Sequence, residues 1–354
     1  MTDDISLPNI KQIKPKIGWL LTGDFSLASS RLQGFRINEH LTTRGFDSQI
    51  VANNFGKYEK GYSIRFFSLA RKILRARLDI VFFQKPGWMM FKMSEILRLR
   101  GVRTVAIQCD PFPGDYGEYF DKTILTSEEL KKQLHLKDAD VIDDMIEVPA
   151  QVYKQSYTKQ SDNLRVVWVG QGTGPGGKKF IEAFLGDLGR NQRLSGRVEF
   201  ATISRGGWAT HEWSLDTVYD LICGCDVAII PLPEDAWVNA KSTNRFTMLL
   251  ALGMPTIISP IPSYMRIAQP GRNCLLARNT DEYAQAIETY LDEHLRERIG
   301  KAGRLTVLEQ YSPEVLGLEW VKVIERTCQA PRAELVSGRL TRLMSRIVQF
   351  SASI

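Results

Sequence analysis

Short apolar runs alternate with amphipathic segments along the first half of the chain. The apolar runs are typical of buried strands and cover 16–21, 48–52, 78–83, 102–108 and 123–126. Apolar positions at helical spacing predict helices over 30–43 and 90–100, and Ser127 is expected to cap a further helix. This order of strands and helices predicts an α/β fold with a parallel sheet.

The second half repeats the alternation after a polar segment, 151–163, which has no apolar period and reads as a linker. Strands are predicted over 165–169, 197–203, 225–232 and 256–259, and helices over 178–188 and 216–222. The sequence therefore predicts an N-terminal domain over 1–155 and a C-terminal domain over 163–328. Open α/β sheets bind ligands at the carboxyl ends of their strands, so we expect functional loops at those ends.

Composition narrows the class of protein. The 354 residues are 44% hydrophobic and 24% charged, as in a globular protein with a sizeable core. Five cysteines without a Cys-x-x-Cys pair predict free thiols in a reducing cytoplasm and no zinc site. We expect neither a signal peptide nor a spanning helix, because no h-region and no run of 18 apolar residues occurs. A net charge of +6 favours anionic partners, but no nucleic-acid recognition module is present.

A cationic loop precedes the helix that ends at Gly253. It contains Lys241, Ser242, Asn244 and Arg245. Free N–H groups at a helix N-terminus favour an anion, and the two cations add formal charge, so the loop predicts a phosphate site. The alternative is a helix capped by a hydroxyl side chain, with two solvated cations.

A glycine-rich loop follows the first strand of the second half. Gly170 and Gly172 open it, and Lys178 and Lys179 begin the next helix. A strand, a glycine-rich loop and a helix suit phosphate binding through exposed backbone N–H groups. The spacing imitates both a dinucleotide fingerprint and a P-loop, but it lacks the required acid and the required Ser/Thr, respectively. The alternative is a flexible solvated loop.

Candidate cleft residues also follow strands of the first half. Gly23 and Arg31 lie after the first strand, Lys85 follows the strand over 78–83, and Asp110 follows the strand over 102–108. An arginine at a helix start is unfavourable for the helix dipole, which makes an anion beside Arg31 plausible. The alternatives are a surface arginine and a structural turn aspartate before proline.

The order of motifs in the second half resembles that of group 1 (family 4-like) glycosyltransferases. An apolar strand ending in proline is followed by the Lys-Ser-x-Asn-Arg loop, a helix–Gly–x–Pro element and the Gly271-Arg272-Asn273 turn. The resemblance covers about 163–328. It implies a GT-B fold, in which two Rossmann-like domains face a cleft. The acceptor would lie on the first domain and the nucleotide-diphosphate sugar on the second.

The resemblance also implies an activity. The protein would be a cytoplasmic glycosyltransferase of surface polysaccharide or glycoconjugate biosynthesis, acting on a glycan or lipid-linked acceptor with retention of configuration. No metal and no cofactor are expected, because the nucleotide-sugar is a co-substrate. The cationic loops would neutralise the leaving diphosphate. Asp110 would orient the acceptor hydroxyl or take its proton. Asp110 and Lys85 look like the Asp and Gln-Lys positions found in the subset of this family that carries a Lys-Ser-x-Asn-Arg loop.

The chain departs from the family pattern at three positions. The family usually has two glutamates eight residues apart, and the equivalent positions hold Ala240 and Met248. Gln171 also replaces an arginine of the glycine-rich loop. These losses leave an alternative open, namely a non-catalytic GT-B-like subunit that binds nucleotide or acts as a scaffold in a glycan-assembly complex.

The tail over 329–354 has an apolar stripe beside a basic one. The apolar stripe consists of Val336, Leu340, Leu343 and Ile347, and the basic one of Arg339, Arg342 and Arg346. A basic amphipathic helix suits an anionic surface, such as the inner face of the membrane. Packing against the body of the protein or against a partner is the alternative.

Overall fold

The computed structural model describes residues 14–55, 62–114, 116–331, 341, 342, 344–346 and 348. The first half forms a six-stranded parallel sheet in the order β2-β1-β3-β4-β5-β6. Its strands are β1 (Ile17–Leu20), β2 (Ser48–Ala52), β3 (Ile80–Gln84), β4 (Arg103–Gln108), β5 (Lys122–Leu125) and β6 (Asp140–Val141). The α/β prediction is therefore confirmed for this half.

Helices cover the first sheet. They are α1 (Ala28–Ser30), a π-helix (Arg31–Phe35), α2 (Arg36–Thr43), α3 (Ile64–Arg75), α4 (Trp88–Leu99), α5 (Tyr116–Tyr119) and α6 (Glu128–Gln133). The predicted helix over 30–43 thus contains a π-helical turn. Ser127 caps α6 as predicted, because its side chain accepts a hydrogen bond from the Leu130 amide. Helix α3 was not anticipated, and Ser63 caps it through the Phe66 amide.

The second half forms another six-stranded parallel sheet, in the order β12-β11-β10-β7-β8-β9. Its strands are β7 (Leu164–Val169), β8 (Val198–Ser204), β9 (His211–Glu212), β10 (Val227–Ile230), β11 (Thr256–Ile258) and β12 (Leu275–Leu276). Its helices are α7 (Lys178–Arg190), α8 (Val218–Cys223), α9 (Ala236–Asn239), α10 (Asn244–Ala251), α11 (Pro262–Met265), α12 (Thr280–Thr289), α13 (Glu293–Tyr311) and α14 (Pro313–Gln329).

The last helix returns to the first sheet. Trp320, Val323 and Ile324 of α14 are buried in a core cluster that also contains Ile17 and Trp19 of β1. The Trp19 and Trp320 rings lie 6.0 Å apart. The predicted second domain ends at 328, yet part of its last helix completes the core of the first sheet.

The predicted linker is anchored to the second half. Lys154 Nζ donates to the carbonyls of Cys223 (3.1 Å) and Cys225 (2.6 Å). The Tyr157 hydroxyl donates to the Gly253 carbonyl at 2.9 Å. Buried polar groups are stable only when they are hydrogen-bonded, and Lys154 and Tyr157 find their partners in the second half. This segment is therefore attached to the second half and is not a free linker between the sheets.

Two residues of the tail face the first core. Val348 is buried with the cluster that contains Phe66, Met89 and Ile96, and Met344 packs against it. The predicted stripe residues Val336, Leu340, Leu343 and Ile347, with Arg339, lie outside the described residues. Packing against the body, the alternative expectation for the tail, therefore holds for Met344 and Val348.

Two properties concern the described part of the chain as a whole. None of its helices combines the length and the apolar composition needed to cross a bilayer. Within the same residues, no group of three or more His, Cys, Asp and Glu side chains is arranged to hold a metal ion.

Candidate functional site

The loop after β1 is tied to the end of β3 by Gln84. The Gln84 Oε1 atom accepts hydrogen bonds from the Thr22 amide (3.2 Å), the Thr22 hydroxyl (2.6 Å) and the Ser30 hydroxyl (3.2 Å). Gly23 donates its amide to Ser30 Oγ at 3.0 Å, and a Cβ at Gly23 would lie 2.5 Å from Leu27. Gly23 is thus required for close packing of this loop.

Lys85 and Asp110 meet where β3 and β4 end. Lys85 Nζ lies 2.5 Å from Asp110 Oδ2, and about a quarter of each side chain is exposed. Lys85 has φ +50°, an uncommon value for a residue with a side chain. Burial opposes the charge on Lys85, but the neighbouring Cys109 and Asp110 outweigh it and raise the pKa of this lysine. The structure therefore brings together the carboxylate and the lysine that the sequence singled out.

Lys241 approaches this pair from the second half. Burial lowers the pKa of Lys241, the positive charge of Arg245 lowers it further, and Asp110 and Cys109 act in the opposite direction. Lys85 also belongs to the charges that act on Lys241. Lys241 thus lies near two other cations, Lys85 and Arg245, and one carboxylate, Asp110, which leaves an excess of positive charge suited to an anion.

Arg245 lies against the start of the glycine-rich loop. Its guanidinium carbon is 5.7 Å from the centre of the Trp168 ring, and its Nη2 would be 3.0 Å from a Cβ at Gly170. The same Cβ would lie 2.6 Å from the Trp168 ring. Arg245 Nη1 is buried and has no hydrogen-bond partner among the described residues. Gly170 is therefore needed for this close approach. One nitrogen of the guanidinium remains able to donate a hydrogen bond to a ligand oxygen.

The rest of the glycine-rich loop folds back on itself. The Lys178 amide donates to the Gly172 carbonyl at 2.9 Å, and the Gly177 amide donates to the Gly174 carbonyl at 3.0 Å. A Cβ at Gly172 would lie 2.7 Å from the Trp208 indole nitrogen. Two of the amides expected to face a phosphate are therefore used inside the loop.

Lys178 and Lys179 are exposed at the start of α7. The Lys178 ammonium lies 3.8 Å from Glu182 and 6.0 Å from the centre of the Trp208 ring. Neither contact fixes it beside Arg245, so Lys178 lies on the solvent side of the loop, whereas Lys241 lies near both Arg245 and Asp110.

An aspartate pair of the first half contacts the cationic loop of the second half, and the sequence analysis missed it. Thr243 Oγ1 donates to Asp143 Oδ1 at 3.3 Å, and the Arg266 guanidinium lies 3.2 Å from Asp143 Oδ2. Burial raises the pKa of Asp143 despite these partners. Asn244 begins α10, and Thr243, at the N-cap, makes no capping hydrogen bond with its side chain.

The second aspartate of the pair is more deeply buried. Burial raises the pKa of Asp144 to about 6, although hydrogen bonds from Gln33 and Ser242 lower it. Gln33 Nε2 donates to Asp144 Oδ1 at 3.1 Å, while Asp144 Oδ2 is buried without a hydrogen-bond partner in the described part of the chain. Ser242 therefore lies close to a first-half carboxylate. The sequence signal that could have revealed this pair is the occurrence of two adjacent aspartates after a short strand.

The expectation that a ligand anion lies beside Arg31 requires a correction. Its Nε and Nη2 donate to the two carboxylate oxygens of Glu147 at 2.6 and 2.8 Å, and only 3% of the residue is exposed. Its Nη1 donates to the Phe25 carbonyl at 3.1 Å. The anion beside Arg31 is a side chain of the same protein, 116 residues away in sequence, and this bidentate pair occupies the guanidinium expected to face a ligand.

The two positions at which the family usually has glutamate hold apolar side chains that pack in or against the core. Ala240 is fully buried beside Leu125 and Leu130, and its carbonyl accepts a hydrogen bond from the Ser127 hydroxyl at 2.8 Å. Met248 packs against the core of the second half. Neither position supplies a polar group to the Lys85–Asp110 region.

Comparisons with known proteins agree with this architecture. Residues 178–316, less than half of the chain, match the model of a family described as glycosyl transferase-like. A search of curated proteins found no match.

Solved structures match over nearly the whole chain. A glycosyltransferase from Rickettsia africae has a TM-score of 0.67 at 13% identity, with 90% of this chain and 100% of that chain covered. Sucrose-phosphate synthase from Thermosynechococcus elongatus has a TM-score of 0.62 at 13% identity, covering 88% and 99%. Anabaena HepE in complex with UDP has a TM-score of 0.60 at 11% identity, covering 88% and 99%. The chain therefore has the GT-B fold of glycosyltransferases, and residues 178–316 within its second half are similar to a glycosyl transferase-like family.

Proposed function

We propose that the protein is a glycosyltransferase that moves a sugar from a nucleotide-diphosphate sugar to a glycan or lipid-linked acceptor. The nucleotide-sugar is a co-substrate, and neither a resident cofactor nor a metal is required. We place the reaction in surface polysaccharide or glycoconjugate biosynthesis, on the cytoplasmic side. The observation that carries the proposal is the Arg245 Nη1 atom beside Gly170, which is buried without a hydrogen-bond partner among the described residues, with the charges of Lys241 and Asp110 nearby.

On the donor side, the task is to stabilise negative charge as the diphosphate leaves. Arg245 and Lys241 supply fixed positive charge in a partly buried setting, where it acts more strongly than in water. Ser242 and Asn244, at the start of α10, add hydrogen-bonding groups and the favourable end of the helix dipole. Lys178 and Lys179 complete the proposed donor set from the exposed side of the glycine-rich loop. These cations would neutralise the negative charge of the leaving diphosphate.

On the acceptor side, Asp110 is the proposed catalytic carboxylate. It orients the attacking hydroxyl or accepts its proton, and the ion pair with Lys85 fixes the position of its Oδ2 atom. Gly23 and Gln84 hold the neighbouring loop in place. We propose retention of configuration, in which the hydroxyl attacks from the face that the diphosphate leaves.

A non-catalytic nucleotide-binding or scaffold subunit is the second candidate. The observation that favours it is the full burial of Ala240 and the partial burial of Met248, which leaves the usual carboxylate positions apolar. In that case the cationic loop would bind nucleotide without transfer, and Asp110 would serve only as the partner of Lys85.

One experiment separates the two candidates. The protein is incubated with UDP-, GDP-, ADP- and TDP-sugars, with and without glycan or lipid-linked acceptors, and release of nucleoside diphosphate is measured. Release that depends on an acceptor and is lost in Asp110→Asn is the expected result. Binding of a nucleoside diphosphate without release under any combination would support the scaffold, and no binding at all would contradict both candidates.

A further inference from the structure

The loop after β4 holds an exposed aromatic side chain beside the proposed catalytic carboxylate. Phe112, two residues after Asp110, is 52% exposed. Its amide donates to the Asp110 carbonyl at 2.8 Å, and a proline on each side of it restricts the backbone. The Phe112 carbonyl accepts a hydrogen bond from the Tyr116 hydroxyl at 2.9 Å, and that hydroxyl accepts one from Gln108 Nε2 at 2.8 Å. Tyr116 and Gln108 are 1% exposed, so a buried chain of hydrogen bonds fixes the backbone that carries a solvent-exposed ring.

A second aromatic ring reaches Phe112 from the other half of the chain. The ring centre of Trp237, in α9, lies 5.2 Å from that of Phe112, and the two ring planes meet at 81°. Edge-to-face contact at this distance is favourable for two aromatic rings, yet about half of Phe112 stays exposed. The two side chains therefore form a partly open aromatic corner between the halves.

Helix α9 is attached to the first half at both of its ends. The Ala236 carbonyl accepts a hydrogen bond from Gln133 Nε2 at 2.7 Å, and the Ala240 carbonyl accepts one from the Ser127 hydroxyl at 2.8 Å. Ala240 is also buried in a small core cluster with side chains of the first half. These contacts are made within the protein and hold the helix that carries Trp237 in place. The aromatic corner is therefore preformed.

We propose that Phe112 and Trp237 form a binding platform for a pyranose ring of a glycan acceptor. The face of an aromatic ring carries partial negative charge, and the face of a pyranose presents C–H groups, so the two pack against each other. Small-ligand sites are commonly lined by aromatic side chains with a few polar groups that fix the orientation of the ligand. Asp110 is placed to supply such a group, because its backbone is hydrogen-bonded to that of Phe112.

Charged residues on both sides of the aromatic corner favour a sugar over a lipid chain. Asp110 precedes Phe112 by two residues, and Lys241 follows Trp237 by four. A pyranose offers the hydroxyl groups of its edge to such charges, whereas an acyl chain would bury them without hydrogen bonds. The position beside Asp110 assigns the sugar to the acceptor, and this assignment rests on the proposed function. The binding of a pyranose does not.

The test measures binding of neutral sugars to the full-length protein by saturation-transfer NMR, which detects weak binding. The probes are methyl glucoside, octyl glucoside below its micelle concentration, cellobiose, lactose and diacetylchitobiose, with sorbitol as a polyol that has no ring. At least one pyranoside should bind the wild-type protein, and sorbitol should not. Phe112→Leu and Trp237→Leu keep apolar bulk but lose the flat ring, so each should weaken binding roughly 2- to 10-fold. Phe112→Tyr, which keeps the ring, should bind as the wild type does.

A matched control removes an exposed ring elsewhere. Tyr153 is 37% exposed in the segment between the two sheets, and Tyr153→Leu should leave sugar binding unchanged. Thermal melting shows that each variant is folded, so a loss of binding is not read from an unfolded protein. In a turnover assay, Phe112→Leu should raise the KM for the acceptor by the same factor as it weakens binding, and it should leave the KM for the nucleotide-sugar unchanged.

Four outcomes would overturn the proposal. They are no binding of any pyranoside, binding of octyl glucoside without binding of the other pyranosides, an equal loss in Tyr153→Leu, and a loss in Phe112→Leu that is confined to the nucleotide-sugar. Turnover with an unchanged acceptor KM in Phe112→Leu would likewise contradict the platform, and it would leave the proposed function standing. Conversely, pyranoside binding that follows these expectations in a protein without turnover would support a sugar platform and contradict the proposed function.

Discussion

Replacing Arg245 by methionine tests the proposed phosphate site through two quantities, ligand affinity and the stability of the free protein. The guanidinium lies 5.7 Å from the Trp168 ring centre and beside Gly170, and its Nη1 is buried without a partner in the described residues. Methionine keeps an unbranched apolar stem but removes the charge and the donors. We therefore expect ligand affinity and the stability of the free protein to respond differently.

The expected loss of affinity follows from the hydrogen bonds that a diphosphate would form here. Each charge-assisted hydrogen bond contributes about 1.5–3 kcal/mol, so Arg245→Met should weaken binding of the nucleoside diphosphate roughly 10- to 150-fold. Binding of the matching nucleoside should stay nearly constant, because it has no phosphate.

The stability of the free protein should not fall. An unpartnered buried donor costs about 1–3 kcal/mol, whereas the lost cation–π contact contributes about 0.5–1 kcal/mol. The free energy of unfolding of Arg245→Met should therefore change by between about 0 and +2 kcal/mol. A loss of stability greater than that of an ordinary surface substitution would show that Arg245 already has its partners.

The assay is calorimetric titration with UDP, GDP, ADP and TDP, and then with the nucleoside of the tightest binder, alongside thermal unfolding. Arg278→Gln is the matched control, because this exposed arginine of the second half pairs only weakly with Glu282, at 3.9 Å. Equal losses for nucleoside and diphosphate, or unchanged diphosphate binding, would refute the phosphate role of Arg245.

Three further predictions concern other parts of the molecule. Asp110→Asn should keep donor affinity and lower the rate of sugar transfer at least roughly 100-fold, as loss of a general base does; transfer at the wild-type rate would remove Asp110 from the mechanism. Asp144→Asn should flatten the pH dependence of stability. Because burial raises the pKa of Asp144 from 3.8 to about 6, the folded protein binds the proton more tightly, so this group's contribution falls by about 2 kcal/mol as pH rises from 4 to 6. Urea unfolding across that range would contradict the assignment if both proteins had the same slope. Truncation after Gln329 should lower the free energy of unfolding by about 2 kcal/mol or more, because Val348 is buried in the first core and Met344 packs against it. An unchanged melting temperature would show that the tail does not stabilise the body.

The sequence by itself determined the elements and the class of fold. Buried strands of parallel sheets carry nearly continuous apolar runs, so β1, β2, β4 and β7 could be placed within a residue or two. Local chemistry also marked boundaries correctly. Ser127 caps α6, and Gly253, with φ +70°, takes the left-handed conformation that ends α10. These signals act over a few residues, and for that reason they can be read without the fold.

Only the tertiary structure decided which distant residues meet. Nothing local pairs Arg31 with Glu147, or places Asp144 beside Ser242, because these contacts join segments that follow different strands. The return of Trp320 to the first core likewise depends on how two complete sheets pack. Lys85 and Asp110 were recognised separately, but their ion pair exists because β3 and β4 are neighbours in the sheet. Strand order and burial are collective properties of the packed chain, and they determine which charges face the cleft and which are neutralised inside the protein.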